Sequence, residues 1–121
     1  MGTTRRLKEL NPAIRCVSLQ PDSSFHGIEG AKHMASAIVP KIYDPKLADE
    51  NLEIATEDAY AMARRIGREC GLLLGISAAA GIAGSLRVAG QLRPRDSHAV
   101  IVTILCDSGD KYLSERFWTE K

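Results

Sequence analysis

Three polar islands carry the side chains that could do chemistry. Ser77 ends "LLLGIS" and is the first polar residue in the apolar stretch from Gly71 to Gly90. A hydroxyl where a short strand gives way to a helix can cap that helix, contributing about 1 kcal/mol, or it can face a ligand. The second island, "CDSGDKYLS", gathers Cys106, Asp107, Ser108 and Asp110 in one turn, which Gly109 could bend through a positive φ. Asp107 and Asp110 could pair for acid and base work, but no partner motif accompanies them. The turn is therefore either solvated or a polar loop facing a ligand site. The third island, "FHGIEGAKHM", holds His26, Gly27, Ile28 and His33, and reads as a mobile substrate loop or a plain connection. His26 and His33 lack zinc-ligand spacing, and His98 is remote. Cys16, Cys70 and Cys106 form no CxxC pair and read as free thiols in a reducing compartment. No Walker loop, GxGxxG, HExxH or GxSxG is present.

The elements that must position these islands can be followed along the chain. Thr3 or Thr4 can cap a short helix, "RRLKELN", which must end before Asn11-Pro12 because a residue preceding proline is pushed out of the helical region. "AIRCVSLQ" predicts a strand from Ala13 to Leu19, and "LEIA" predicts another. Between them, Gln20 to Asn51 has no sustained period, and long connections of this kind in compact domains are usually functional or disordered. Thr56 is the expected N-cap of a helix with Glu57 and Asp58 in its first turn and Gly71 as its stop. Ala59, Met62, Ala63, Ile66 and Cys70 form its apolar stripe. "LLLG" predicts a strand buried on both faces, Ser77 a cap for a helix running from Ala78 to about Ala89, and "AVIVTIL" the strongest strand of all. Gly81 and Gly84 each cost roughly 1 kcal/mol relative to Ala inside a helix, so that helix is expected to press closely on a strand or a flat ligand. Phe117 and Trp118 are expected to dock back on the domain.

Helices alternating with short hydrophobic strands predict an α/β fold, a partial doubly wound and mainly parallel sheet flanked by helices. Residues 1–121 are expected to form a single domain. Ligands in such sheets sit outside the carboxyl ends of strands, here at Gly75-Ile76-Ser77 and at Cys106-Asp107-Ser108. Composition narrows the function classes. The chain is 45% hydrophobic and 26% charged, its mean hydropathy is −0.12, and its 16 basic and 15 acidic residues leave a formal charge of +1. No basic stripe suits a phosphate backbone, so nucleic acid is not expected as a partner. The apolar run from Gly71 to Leu86 is diluted by Gly, Ala and Ser, so no membrane span is expected, and "MGTTRRLKEL" is not followed by a signal-peptide core. A cytoplasmic location is expected.

The order of segments adds a resemblance. "NPAIRCVSLQPDS", "FHGIEGAKHM", "IVPKIYD", "TEDAYAMARRIGRECGLLLGIS" and "DSGDKYLS" occur in the order and spacing seen in the C-terminal part of cysteine synthases, the pyridoxal-phosphate enzymes also called O-acetylserine sulfhydrylases. "DAYAMARRIGRECGLLLGIS" is similar to the family's "ARRLxxEEGILxGIS", and "DSGDKYLS" to its "DxGxRYLS". The short loop from Phe25 to Met34 looks more like the B-type branch than the A-type. The wider fold-type II group includes cystathionine β-synthase, threonine dehydratase and the tryptophan synthase β chain. The resemblance implies that Ser77 hydrogen-bonds the pyridine nitrogen of pyridoxal 5'-phosphate, with Gly75, Asp107 and Ser108 beside the ring. It also implies that His26, Gly27 and Ile28 belong to the segment closing towards substrate. The implied chemistry is loss of acetate or another leaving group from an O-activated serine, then addition of sulfide or a thiol donor, with the cofactor doing the difficult step.

Departures from the family pattern qualify what the chain is expected to do alone. The family reads "GISSGA" where this chain reads "GISAAA", so Ala78 and Ala79 replace Ser and Gly, and Cys106 stands where Pro is common. Family members are more than twice as long, and their Schiff-base lysine and phosphate loop precede the segment that matches. "MGTTRRLKEL" is similar to the helix after that phosphate loop, so Met1 is expected to be an internal methionine of a longer ancestor. Lys8, Lys32, Lys41 and Lys46 stand in the wrong contexts to replace the lysine. The expected function is therefore the C-terminal portion of a cysteine synthase B-like enzyme, inactive alone. The alternative is a non-catalytic remnant or assembly module. In either case an exposed sheet edge and apolar face predict association, as a homodimer or with an N-terminal partner segment.

Overall fold

The computed structural model describes residues 1–93 and 98–119. Helix α1 (Gly2–Leu10) leads to strand β1 (Val17–Pro21), which pairs in parallel with β2 (Glu50–Ile54). The register sets Val17 against Glu50, Leu19 against Leu52 and Pro21 against Ile54. Parallel neighbours need a long crossover, and here residues 22–49 make it without a helix or strand. Pro21 has no N–H for a ladder and sits at the end of β1. Side-chain pairs across the strands, Ser18 with Asn51 and Gln20 with Glu53, hold the register, as does the ion pair of Arg15 with Glu50. Asp49 then ties the entrance of β2 to what precedes β1. It accepts from Lys8 Nζ at 2.6 Å and from the Cys16 amide at 2.7 Å, and these two donors, Lys8 first, hold its carboxyl below the usual range.

Helix α2 (Thr56–Cys70) and helix α3 (Ile76–Gly90) lay small faces against each other. Ala59 and Ala63 of α2 and Ala78 and Ala79 of α3 have no exposed surface. Around them gather Ile28, Ile54, Ile76, Ala80, Ala83 and Phe117 as one core. The stripe expected on α2 is buried at Ala59 and Ala63, partly buried at Met62 and Ile66, and exposed at Cys70. Gly71 ends the helix in the left-handed conformation at φ 68°, as a C-terminal stop should. The tail docks as expected: the Phe117 ring stacks on Tyr60 with centroids 4.5 Å apart, and Arg64 Nη1 donates to the Phe117 carbonyl at 2.6 Å. Trp118 Nε1 donates to the Tyr112 carbonyl at 2.8 Å.

Several sequence expectations are corrected here. Helix α1 begins after Met1, and neither Thr3 nor Thr4 caps it; it does end at Asn11, whose φ of −152° is extended as a residue before proline requires. Strand β1 starts at Val17 rather than Ala13 and runs past Leu19. The N-cap of α2 is Ala55, while Thr56 Oγ1 accepts from the Gly27 amide at 3.0 Å. "LLLG" is not a buried strand. Leu72 and Leu73 are half-exposed, and Leu74 makes a single antiparallel bridge to Ser108.

"AVIVTIL" forms no strand, and Val100, Val102 and Ile104 are 86%, 81% and 74% exposed. A β-branched run fits a pleated surface, but a strand also needs a neighbour to exchange hydrogen bonds with, and no described residue offers one. Gly81 and Gly84 do mark close approach, and the neighbour is chain. A Cβ on Gly81 would lie 2.8 Å from Thr103 Oγ1, and one on Gly84 2.6 Å from Leu19 Cδ2. Among the described residues the sheet is thus two-stranded and parallel, with α3 packed on it and α2 on α3: an α/β arrangement.

Phe117 is 4% exposed and joins the tail to α2. Phe117→Ala is expected to lower unfolding free energy by about 3 kcal/mol, as truncation of a buried aromatic typically does. Trp118→Ala, at a half-buried ring, should cost clearly less. Urea denaturation of both variants checks this, and equal midpoints for the two would overturn the ranking.

Candidate functional site

Ser77 is the second residue of α3, whose N-cap is Gly75, so the expectation that Ser77 caps the helix is corrected. Its hydroxyl turns instead to residues 106–107. Ser77 Oγ donates to Asp107 Oδ1 at 3.1 Å and lies 3.1 Å from Cys106 Sγ. Tyr112 OH donates to the other carboxylate oxygen, Asp107 Oδ2, at 2.9 Å. That bond, with burial and the carboxylate charge behind it, pushes the Tyr112 phenol up to about 12.

The backbone fixes this arrangement. The Gly75 amide donates to the Asp107 carbonyl at 3.2 Å, and the Gly109 amide to the Leu73 carbonyl at 3.0 Å. A Cβ on Gly75 would overlap the Asp107 carboxylate, so only glycine lets the two segments come this close. Gly109 does not adopt a positive φ; its lack of a side chain matters because a Cβ there would sit 2.7 Å from the Leu74 carbonyl oxygen.

An open pocket of ≈ 470 Å³ lies before this cluster. Ser77, Cys106, Asp107, Lys111 and Tyr112 form one wall, and Glu29, Gly30 and Ala31 the other. The structure therefore joins two of the three polar islands and brings the loop of the third opposite them. Within that third island Ile28 is 2% exposed in the core, Gly27 is tied to Thr56, and His26 Nδ1 is buried with no hydrogen-bond partner. The residues of the loop that reach the pocket are the next three. Ser108 is exposed and gives its hydroxyl to Asp110, whose carboxyl it holds below the usual range. Asp107 and Asp110 thus have separate partners rather than each other. Sequence reasoning missed Tyr112 and Lys111. The spacing "DSGDKY", with a phenol five residues after a carboxylate across a glycine turn, was the available signal for Tyr112.

Residues 1–107 match the model of the pyridoxal-phosphate dependent enzyme family. The chain belongs to that family. It is 40% identical over 121 residues to the cysteine synthase of Aquifex aeolicus, which covers all of this chain and 37% of that protein. It is 39% identical over 114 residues to cysteine synthase B of Pseudomonas aeruginosa, covering 94% of this chain and 36% of the relative. Among solved structures, the cysteine synthase of Entamoeba histolytica superposes with a TM-score of 0.86 at 30% identity, over 99% of this chain and 37% of that one. This family member therefore spans little more than a third of the length of these relatives.

The residues present fit one edge of the family cofactor. A pyridine nitrogen can accept a hydrogen bond from a hydroxyl. Ser77, partly exposed on the pocket wall, is a hydroxyl whose side chain is held from behind by a carboxylate. Ala78 and Ala79, which depart from the family's "GISSGA", are fully buried, Ala79 in the α2–α3 core, and neither lines the pocket.

The Tyr112 bond gives a testable titration. A phenol raised from 10.0 to about 12 binds its proton more tightly in the folded chain than in the unfolded one. Its stabilising effect is thus complete below pH 10 and is lost as the pH climbs towards 12. Ultraviolet titration should show a phenol ionising above the ordinary range, one that vanishes in Tyr112→Phe and falls towards the ordinary value in Asp107→Asn. A high-pH curve left unchanged by both substitutions, apart from the lost chromophore, would refute the bond.

Proposed function

We propose that this chain forms the ring-nitrogen side of the pyridoxal-phosphate site in a cysteine synthase of the B type. The observation that carries the reading is the Ser77 hydroxyl on the pocket wall, held by Asp107, in a chain 40% identical to a cysteine synthase. The proposed reaction replaces the β-substituent of O-acetylserine, or a similarly activated serine, with sulfide or a thiol donor to give cysteine. When bound, the cofactor supplies the electron sink that lets the β-substituent leave. The chain's own residues orient and tune it. Ser77 meets the ring nitrogen with a neutral hydroxyl, Gly75 allows Asp107 to lie directly behind, and Ser108 steadies the turn through Asp110. His26, Gly27 and Ile28 anchor the loop whose next residues line the substrate side of the pocket.

The relatives' greater length supports a further part of this reading: the site is completed by an N-terminal segment that carries the covalent lysine and the phosphate loop. Exposed Val100, Val102 and Ile104, unpaired among the described residues and β-branched, are suited to receive a strand from such a segment. The same surface favours a second reading, an assembly module without catalysis. Association as a homodimer is compatible with both. No described helix is long and apolar enough to cross a membrane, and the three cysteines are free thiols, which supports a cytoplasmic setting.

Co-expression with the N-terminal segment of the Aquifex aeolicus cysteine synthase tests the two readings together. The expected result is a complex that retains pyridoxal phosphate and forms cysteine from O-acetylserine and sulfide. Ser77→Ala should lower its turnover by roughly ten- to a hundredfold, as expected for one buried hydrogen bond to a reacting system. A complex without cofactor or turnover supports the assembly module instead.

A further inference from the structure

The Ser77 hydroxyl has one proton, and the geometry says where it goes. It points to Asp107 Oδ1, while Tyr112 occupies Oδ2 and the Cys106 thiol lies within reach of the same serine oxygen. A carboxylate is a stronger acceptor than a neutral nitrogen or oxygen. A ligand that needs the Ser77 proton must therefore take it from Asp107. We propose that Asp107 is a positioning residue that holds the Ser77 proton in the resting site and competes for it with any acceptor nitrogen entering the pocket, and that Tyr112 weakens this competition. This inference rests on the reading of Ser77 as the ring-nitrogen contact.

Tyr112 acts on the competition because its hydroxyl shares the carboxylate charge. With Oδ2 already hydrogen-bonded, Oδ1 is a weaker acceptor, and Ser77 is freer to turn. The backbone bonds from Gly75 and Gly109 keep residues 107–109 in place when the serine proton leaves, so the carboxylate is not released with it. Ser77 can then rotate within its own turn, with no movement of α3 required.

A purely structural role for Asp107 and Tyr112 predicts that every substitution weakens binding. Competition predicts opposite signs. Two probes separate the nitrogen from everything else: pyridin-3-ylmethyl phosphate and its nitrogen-free counterpart benzyl phosphate, titrated into the full chain and followed by NMR. The dissociation constant of benzyl phosphate divided by that of pyridin-3-ylmethyl phosphate measures what the ring nitrogen contributes. In Asp107→Asn, a weaker acceptor whichever way the amide faces, the ratio should rise about fivefold, since charge-assisted bonds are roughly twice as strong as neutral ones. Asp107→Ala should move it the same way and guards against an unfavourable amide orientation.

In Tyr112→Phe the ratio should fall. In Ser77→Ala it should collapse to one, and the Asp107→Asn gain should disappear in the double variant. A ratio that is unchanged, or lowered, in both Asp107 variants overturns the competition while leaving the Ser77 reading intact. A wild-type ratio of one, the two probes binding equally well, overturns the Ser77 reading and the competition with it.

Discussion

The contact on which the site depends is the one between Gly75 and Asp107. Two segments of different origin, the approach to α3 and the turn at 106–109, meet through paired backbone hydrogen bonds at a point where neither has room for a side chain. The meeting does three things at once. It fixes where α3 begins, it places the Ser77 hydroxyl 3.1 Å from the carboxylate, and it forms the wall of the pocket. A larger residue at position 75 would displace Asp107 and with it the partner of both Ser77 and Tyr112. Glycine is used here for proximity rather than for unusual φ, since neither Gly75 nor Gly109 has a positive value.

What holds that contact is mostly polar, whereas what holds the helices is mostly small. Ala59, Ala63 and Ala79 have side chains of a single methyl, and their complete burial in one core means that α2 and α3 are close along this face. Such packing gains little per residue from apolar area, because an alanine removes far less surface from water than a leucine does. The larger buried groups, Ile28, Ile54, Ile76 and Phe117, border this face and join it to the loop, the sheet and the tail. Ile28 thereby anchors the loop that supplies Glu29, Gly30 and Ala31 to the pocket. The core and the site therefore share a boundary, and the loop's position is set by an apolar residue immediately before its polar ones.

The elements legible in the sequence were those whose signals are local. The α2 stripe, its acidic first turn and its glycine stop are periodic or adjacent in sequence, and the helix forms at Thr56–Cys70. The glycines of α3 reported close approach correctly because the cost of glycine in a helix demands a reason, and Thr103 and Leu19 supply it. Ser77 could be singled out as a lone hydroxyl, but its partner could not, because Asp107 is reached only through tertiary contact. The cap assigned to Ser77 and the one assigned to Thr56 failed for the same reason. Each hydroxyl had a better partner elsewhere in the fold, Asp107 for one and the Gly27 amide for the other. The strands failed differently. "AVIVTIL" and "LLLG" have the residues of buried strands, but pairing is a property of two segments, and composition describes one.

Those two segments also show how a site can be ordered beside an unpaired, exposed run of chain. Leu74 bridges to Ser108, and the run from 99 to 106 leads directly into Cys106 and Asp107. Its residues alternate: Thr103 meets Gly81 of α3, while Val100, Val102 and Ile104 face outward. Thr103 sets the segment against the helix, and the outward residues offer an apolar surface. The polar cluster around Ser77 lies where that segment ends. Its geometry is held by hydrogen bonds at 107–109 rather than by the pairing itself, so the cluster is assembled before any partner strand arrives.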